Sequence, residues 1–139
     1  MQILIKFNKI TSIESNSIIR DLFQNILNIE NIKDVEKYYS IIENELYSVS
    51  NNECIVGIVG LISTEQEVVI KHIAIQNHIQ NKGLGTEIIN EIHQLFPKRK
   101  LVAETDNDAV GFYTKLGFKI ISLGEKYPGI IRYKCIKEF

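Results

Sequence analysis

The residues best suited to chemistry in this chain lie in two short segments, 80–85 and 104–118. The first reads QNKGLG and stands between an apolar run and a stretch of helical period. A helix that starts there has backbone N–H groups in its first turn without intrahelical partners. They point along the axis toward any anion placed at that end, where the helix dipole favours negative charge. Gly83 and Gly85 carry no side chain to hold a phosphate away. Lys82 adds a mobile positive charge, Thr86 a hydroxyl and Gln80 an amide, so a pyrophosphate is the natural match. The structural alternative is a tight turn into a helix, with glycine serving turn geometry. The segment is neither a Walker A loop nor a dinucleotide fingerprint, because the lysine precedes the glycines and residue 88 is Ile.

The second segment, ETDNDAVGFYTKLGF, predicts a short helix over 108–116 with Ala109, Phe112 and Leu116 inward and Gly117 as its left-handed stop. Asn107 precedes this helix and Asp108 is placed to cap it. Tyr113 lies one step off the apolar face. It is either a boundary residue with its hydroxyl in water or a phenol available as a general acid. Glu104 ends the preceding strand, where a carboxylate could take a proton directly or through a water, or cap the turn before Asn107. His72 has an ordinary pKa suited to proton transfer. Alternation puts it on one strand face with Ala74 and opposite Ile73, toward a substrate or packed under a helix.

These residues need a scaffold that brings them to one place. Strands are expected at 2–8, 46–50, 55–62, 68–75, 101–104, 118–122 and 130–136, and helices at 18–27, 33–43, 85–96 and 108–116. Residues 46–75 form an antiparallel meander, since the links are too short for helical crossovers. The strand at 68–75, the helix at 85–96 and the strand at 101–104 form a right-handed parallel β-α-β unit. The expected class is therefore α/β with a mixed, α+β-like sheet. Its two helices would open the glycine loop and Tyr113 into one cleft at the strand C-termini.

With 139 residues, 45% of them hydrophobic and 24% charged, the chain suits one domain with one core. Sixteen basic against 17 acidic side chains leave a formal net charge of -1. That exerts no long-range pull on nucleic acid or an anionic membrane, so neither is an expected partner. No apolar run approaches the roughly 18 residues of a membrane span, and no signal peptide opens the chain, so the expected location is the cytoplasm. Cys54 and Cys135 read as buried free thiols, and the scattered His72, His78 and His93 give no metal site.

In its motifs the chain resembles the GNAT superfamily of N-acetyltransferases. The family's Gln/Arg-x-x-Gly-x-Gly/Ala signature is matched by Gln80, Gly83 and Gly85. A second pattern is matched by Asn107, Ala109, the Phe112-Tyr113 pair and Gly117-Phe118. The resemblance covers 45–139 well and the first 44 residues in outline. It implies a GNAT-like acyl-CoA N-acyltransferase fold with splayed central strands, acetyl-CoA as co-substrate, and a primary amine on a small molecule, peptide or protein as acceptor. It also implies that Ile73, Ala74 and Ile75 line the pantetheine arm, that the N–H groups of Lys82, Gly83, Leu84, Gly85 and Thr86 hold the pyrophosphate, and that Gln80 and Asn81 belong to the same cofactor-binding loop. Asn107, Ala109 and Phe112 would contact the cofactor, and Tyr113 would be the general acid. Monomer and homodimer both fit such a family. A non-catalytic CoA-binding module is the alternative. Acceptor recognition is expected from the 18–44 helices and a 123–129 loop, with Tyr38, Tyr39, Glu43, Glu45, Glu125, Lys126 and Tyr127 as candidates.

Overall fold

Apolar alternation from residue 44 onward builds a sheet, and breaks in that alternation mark where it bends. The computed structural model describes residues 5–10, 17–26, 35, 37–40, 44–76 and 83–138. In chain order they form β1 (Ile5–Lys9), α1 (Ser17–Ile26), β2 (Asn44–Asn51), β3 (Cys54–Ser63), β4 (Glu67–Ile75), α2 (Leu84–Leu95), β5 (Lys100–Thr105), α3 (Val110–Lys115), β6 (Lys119–Tyr127) and β7 (Ile130–Lys137). The strands make one sheet in the order β1-β2-β3-β4-β5-β7-β6. Only the β4–β5 pairing is parallel among the described residues. The mixed sheet, the meander and the β-α-β unit thus stand as the sequence predicts.

Local chemistry explains the connections. Asn51 pairs with Cys54 across a two-residue turn. Asn52 and Glu53 in that turn both have positive φ, 54° and 70°. This is the turn that matches strand twist in a tight hairpin, and Asn is among the residues that tolerate it. Gly117, with φ 87°, sits just past α3. The N–H of Phe118 bonds to the Tyr113 carbonyl and that of Gly117 to the Thr114 carbonyl, both at 3.1 Å. Together they close the helix end as a Schellman motif, as the sequence predicts for Gly117.

Helix α2 packs Leu84, Ile88, Ile89 and Ile92 onto the sheet, all buried. Each such side chain contributes about 1.5–3 kcal/mol of burial, which anchors the helix whose first turn faces the site. On that face they join Val59, Leu61, Val68, Leu101 and Ala103. The opposite face carries a smaller cluster of Ile19, Leu22, Val35, Leu46 and Ile58 under α1.

Three expectations need correction. Residues 123–127 are not loop but the continuation of β6, which ladders against β7 as far as Tyr127↔Ile130. Cys54 is exposed at the hairpin, while Cys135 is buried as expected. Helix α3 starts at Val110 with no side-chain cap, so Asp108 does not cap it. Instead Asp106 holds the preceding turn: its Oδ1 accepts from the Asp108 N–H at 3.0 Å, and its carbonyl accepts from the Val110 N–H at 3.0 Å. No helix among the described residues is long and apolar enough to cross a membrane.

Candidate active site

The parallel strands stay together for only three residue pairs, Glu67↔Lys100, Val68↔Leu101 and Val69↔Val102. Beyond them β4 remains paired with β3 through Ile75↔Gly57, and β5 with β7 through Thr105↔Tyr133. Two well-laddered half-sheets therefore part at their centre, which is the splay that the motif resemblance implies. A cleft of about 1200 Å³ opens there.

A bulge shapes the β4 wall. Gly60 pairs with His72 but Leu61 pairs with Ile70, so Lys71 is the extra residue. Before it, Val68 and Ile70 face the α2 core; after it, Ile73 and Ile75 do. His72 and Ala74 are thereby turned to the α1 side, where Ala74 packs against that smaller cluster. Bulges re-aim side chains in this way, often beside functional sites.

The cleft is lined by His72, Ile73, Ala74 and Ile75 from β4 and by Glu104 and Thr105 from β5. Gly83, Gly85 and Thr86 line it from the start of α2, and Asp108, Ala109, Phe112 and Tyr113 from the α3 segment. Most of the residues singled out in the sequence are thus brought to one opening. Leu84 is the exception within its turn: its side chain is in the core. Asn107 is exposed in the turn after β5 and does not line the cleft. Gln80, Asn81 and Lys82 lie outside the described residues, as does Glu43.

The two glycines have separate reasons. Gly83 caps α2 in a left-handed conformation, φ 79°, which a side chain adopts only with strain. At Gly85 a Cβ would stand 3.0 Å from the Phe112 ring, so this glycine lets α3 close against the start of α2. The first bond of α2 runs from the Glu87 N–H to the Gly83 carbonyl at 3.3 Å. The N–H groups of Leu84, Gly85 and Thr86 therefore have no intrahelical partner, and their end of the helix borders the cleft.

Tyr113 is not a boundary residue. It is 5% exposed, with its ring edge-on to Phe112 and Phe118 at 5.2 Å in each case. Burial first, and Cys135 second, push its pKa well above the ordinary 10.0, so the phenol keeps its proton. His72 is held the other way: burial, with Lys71 adding to it, lowers its pKa from 6.5 to about 4. The imidazole is neutral near pH 7. Glu104 is exposed at the cleft, and the turn that it could have capped is held by Asp106 instead.

Sequence reasoning missed Lys71, Gln76, Thr105, Asp108 and Lys115, which line the cleft, and pointed to the 18–44 helices for the acceptor without singling out the α1 residues that line it, Ile18, Asp21 and Leu22. The helical period of 18–27 was the one available signal for the last three. Several acceptor candidates fall elsewhere. Tyr38 and Tyr39 are not in the cleft wall; Tyr39 stands behind His72 and bonds to it. Glu45 accepts from the Tyr47 hydroxyl. Glu125 accepts from the Gly129 N–H at 2.5 Å and so fastens its own hairpin. Lys126 and Tyr127 project from exposed strand.

Comparison with known proteins gives the arrangement a family. Residues 23–132 match the model of the acetyltransferase (GNAT) domain. Among solved structures, an acetyltransferase from Thermus thermophilus superposes with TM-score 0.78 at 13% identity, over 100% of both chains. A GNAT family acetyltransferase from Elizabethkingia anophelis, with acetyl-CoA bound, gives 0.70 at 23% identity, over 97% of this chain and 98% of the other. The Campylobacter jejuni N-acetyltransferase PseH, in complex with acetyl coenzyme A, gives 0.68 at 19%, over 97% and 99%. No curated protein sequence matches the chain. A domain model that spans most of the chain and a shared fold over nearly its full length agree with the splayed strands and the bordering helix start: the chain belongs to the GNAT acetyltransferases.

Proposed function

We propose that the protein transfers the acetyl group of acetyl-CoA to a primary amine carried by a small molecule or peptide. The observation that carries this reading is the splay of β4 from β5 beside the open first turn of α2. An extended arm fits a gap between strands whose edges have no ladder partner, with Ile73, Ala74 and Ile75 as its β4 wall. The N–H groups at Leu84, Gly85 and Thr86 suit a pyrophosphate, joined by Gln80, Asn81 and Lys82. Ala109 and Phe112 would close the α3 side. The acetyl-CoA held by the Elizabethkingia anophelis and Campylobacter jejuni structures supports this choice of co-substrate.

The chemistry follows from the residues at the cleft. A neutral amine attacks the thioester carbonyl, a C–N bond forms, and the C–S bond breaks. The developing oxyanion needs a donor, and a backbone N–H of β4 near Ile73 is suited to it. Thiolate departs and takes a proton; Tyr113, held protonated by burial, is the donor we assign. The proton of the amine goes to Glu104 or through a water to it, since Glu104 is the exposed carboxylate at the end of β5. Acetyl-CoA turnover against polyamines, amino acids, aminoglycosides and peptides, read as free thiol with the acetylated product identified by mass, tests the proposal. Amine-dependent thiol release is expected. Saturable CoA binding with no release across the panel would identify a non-catalytic CoA-binding module instead.

A further inference from the structure

His72 enters the cleft wall from β4 and is held from the far side by Tyr39. The Tyr39 hydroxyl lies 2.5 Å from His72 Nδ1, and the two rings meet edge to face with centroids 5.7 Å apart. Room for the hydroxyl comes from Gly60, the β3 residue paired with His72. A Cβ at Gly60 would stand 1.8 Å from the Tyr39 oxygen. The bulge at Lys71 completes the arrangement by turning His72 toward the α1 side, where Tyr39 also packs. A missing Cβ, an extra strand residue and a tyrosine from a separate segment converge on one ring nitrogen.

Donor accounting places the proton. The Tyr39 phenol is neutral, because burial first and Tyr38 second raise its pKa above the ordinary 10.0. A neutral phenol has one proton to donate, and among the described residues Nδ1 of His72 is the acceptor within reach. An Nδ1 that accepts has no proton of its own, so the neutral ring carries its proton on Nε2. The reverse arrangement, with Nδ1–H donating to the phenol oxygen, strands the phenol proton in a half-buried site, which is the costly alternative.

We propose that Tyr39 is a positioning residue that fixes His72 as the Nε2–H tautomer, so that His72 is a hydrogen-bond donor and not the base that takes the proton of the incoming amine. Nδ1 is occupied by Tyr39, and Nε2 has no lone pair left for a proton. This rests on the acetyl-transfer reading of the cleft only for the identity of the amine; the tautomer follows from the Tyr39–His72 contact and the neutral phenol.

Nitrogen-15 NMR of histidine-labelled protein reads the tautomer without any turnover. The wild type is expected to show His72 with protonated Nε2 and bare Nδ1, and Tyr39→Phe to lose that bias while the other two histidines keep their signals. A wild-type His72 protonated at Nδ1, or a tautomer unmoved by Tyr39→Phe, overturns the proposal. The kinetic arm follows the acidic limb of kcat/KM in both proteins. Among the described residues, Lys71 on β4, Tyr38 beside Tyr39, and Asp21 of α1 across the cleft are the other titratable or charged groups facing this site. The limb is expected to stay in place; a limb that shifts with Tyr39→Phe assigns the titrating base to His72 and contradicts the proposal. If the wild type acetylates no amine, the acetyl-transfer reading fails, while the NMR result still decides the tautomer.

Discussion

Phe112 fills the space that Gly85 leaves open: a Cβ at Gly85 would lie 3.0 Å from one ring carbon and 3.2 Å from the next. The contact joins the start of α2 to α3, and thus the first turn of α2 to the helix that carries Tyr113. Gly85→Ala gains about 0.5–1 kcal/mol of helix propensity but overpacks a helix contact, which costs about 1–3 kcal/mol. The expected net result is a loss of about 1 kcal/mol in urea unfolding, with weaker CoA binding because the two helices are pushed apart. Gly85→Ala at wild-type stability and affinity would show that the close approach is dispensable.

Tyr113→Phe removes one oxygen from a ring that is already packed on both edges. Stability should change little, since the ring keeps its contacts with Phe112 and Phe118. Loss of general-acid help is expected to lower kcat by about 10²–10⁴-fold, with the Kd for CoA nearly unchanged. Single-turnover rates, in which chemistry is the observed step, make the comparison. An unchanged rate there removes Tyr113 from the mechanism.

Stability should fall on both sides of neutrality, for opposite reasons. His72 is lowered from 6.5 to about 4 by burial and Lys71. The folded state therefore disfavours the imidazolium, so stability is full above pH 6.5 and drains as pH falls toward 4. Each tenfold change in proton affinity is worth at most about 1.4 kcal/mol, and less for a ring that water partly screens. Tyr113 is raised above 10.0, so its contribution is full below pH 10 and is lost as pH rises past it. Urea melts at pH 7 and 4.5 of wild type and His72→Gln check the acid side. The substituted protein should show the smaller drop; equal drops would place the acid sensitivity elsewhere.

Lys137 fastens α3 from the opposite end. Its Nζ donates to the Leu116 carbonyl at 2.6 Å and stands 6.0 Å from the centre of the Phe118 ring. A cation at a helix C-terminus and a charged hydrogen bond suggest a loss of about 1–2 kcal/mol for Lys137→Met. The expected kinetic signature is a lower kcat, because Tyr113 lies one turn from the freed carbonyl. Thermal unfolding together with kcat tests both; a Tm equal to wild type would mean the contact carries no weight.

Much of this was legible in the sequence because it is local. Period 3.6 in 85–96 marks α2, and the left-handed stop at Gly117 needs only its neighbours. The splay follows from the resemblance carried by Gln80, Gly83, Gly85 and the Phe112-Tyr113 pair. What was not legible depends on distant partners. The Lys71 bulge leaves no compositional mark, since one extra residue in β4 is defined only against β3. Tyr39 and His72 meet across 33 residues, and the place of Tyr113 in the core depends on Phe118 closing over it. The hairpin end at 123–127 reads as loop from its Gly, Glu and Lys, yet cross-strand bonds to β7 hold it extended.

The central claim is that the cleft between the splayed strands holds acetyl-CoA with its pyrophosphate at the start of α2. Calorimetric titration of acetyl-CoA into the wild type and Gly83→Glu tests it most directly, with circular dichroism to verify that both are folded. One site per chain is expected for the wild type. Gly83→Glu, which sets a carboxylate where an anion should sit, is expected to bind at least about tenfold more weakly, a difference of about 1.4 kcal/mol. Equal affinity in the two folded proteins, or no binding to the wild type, contradicts the claim.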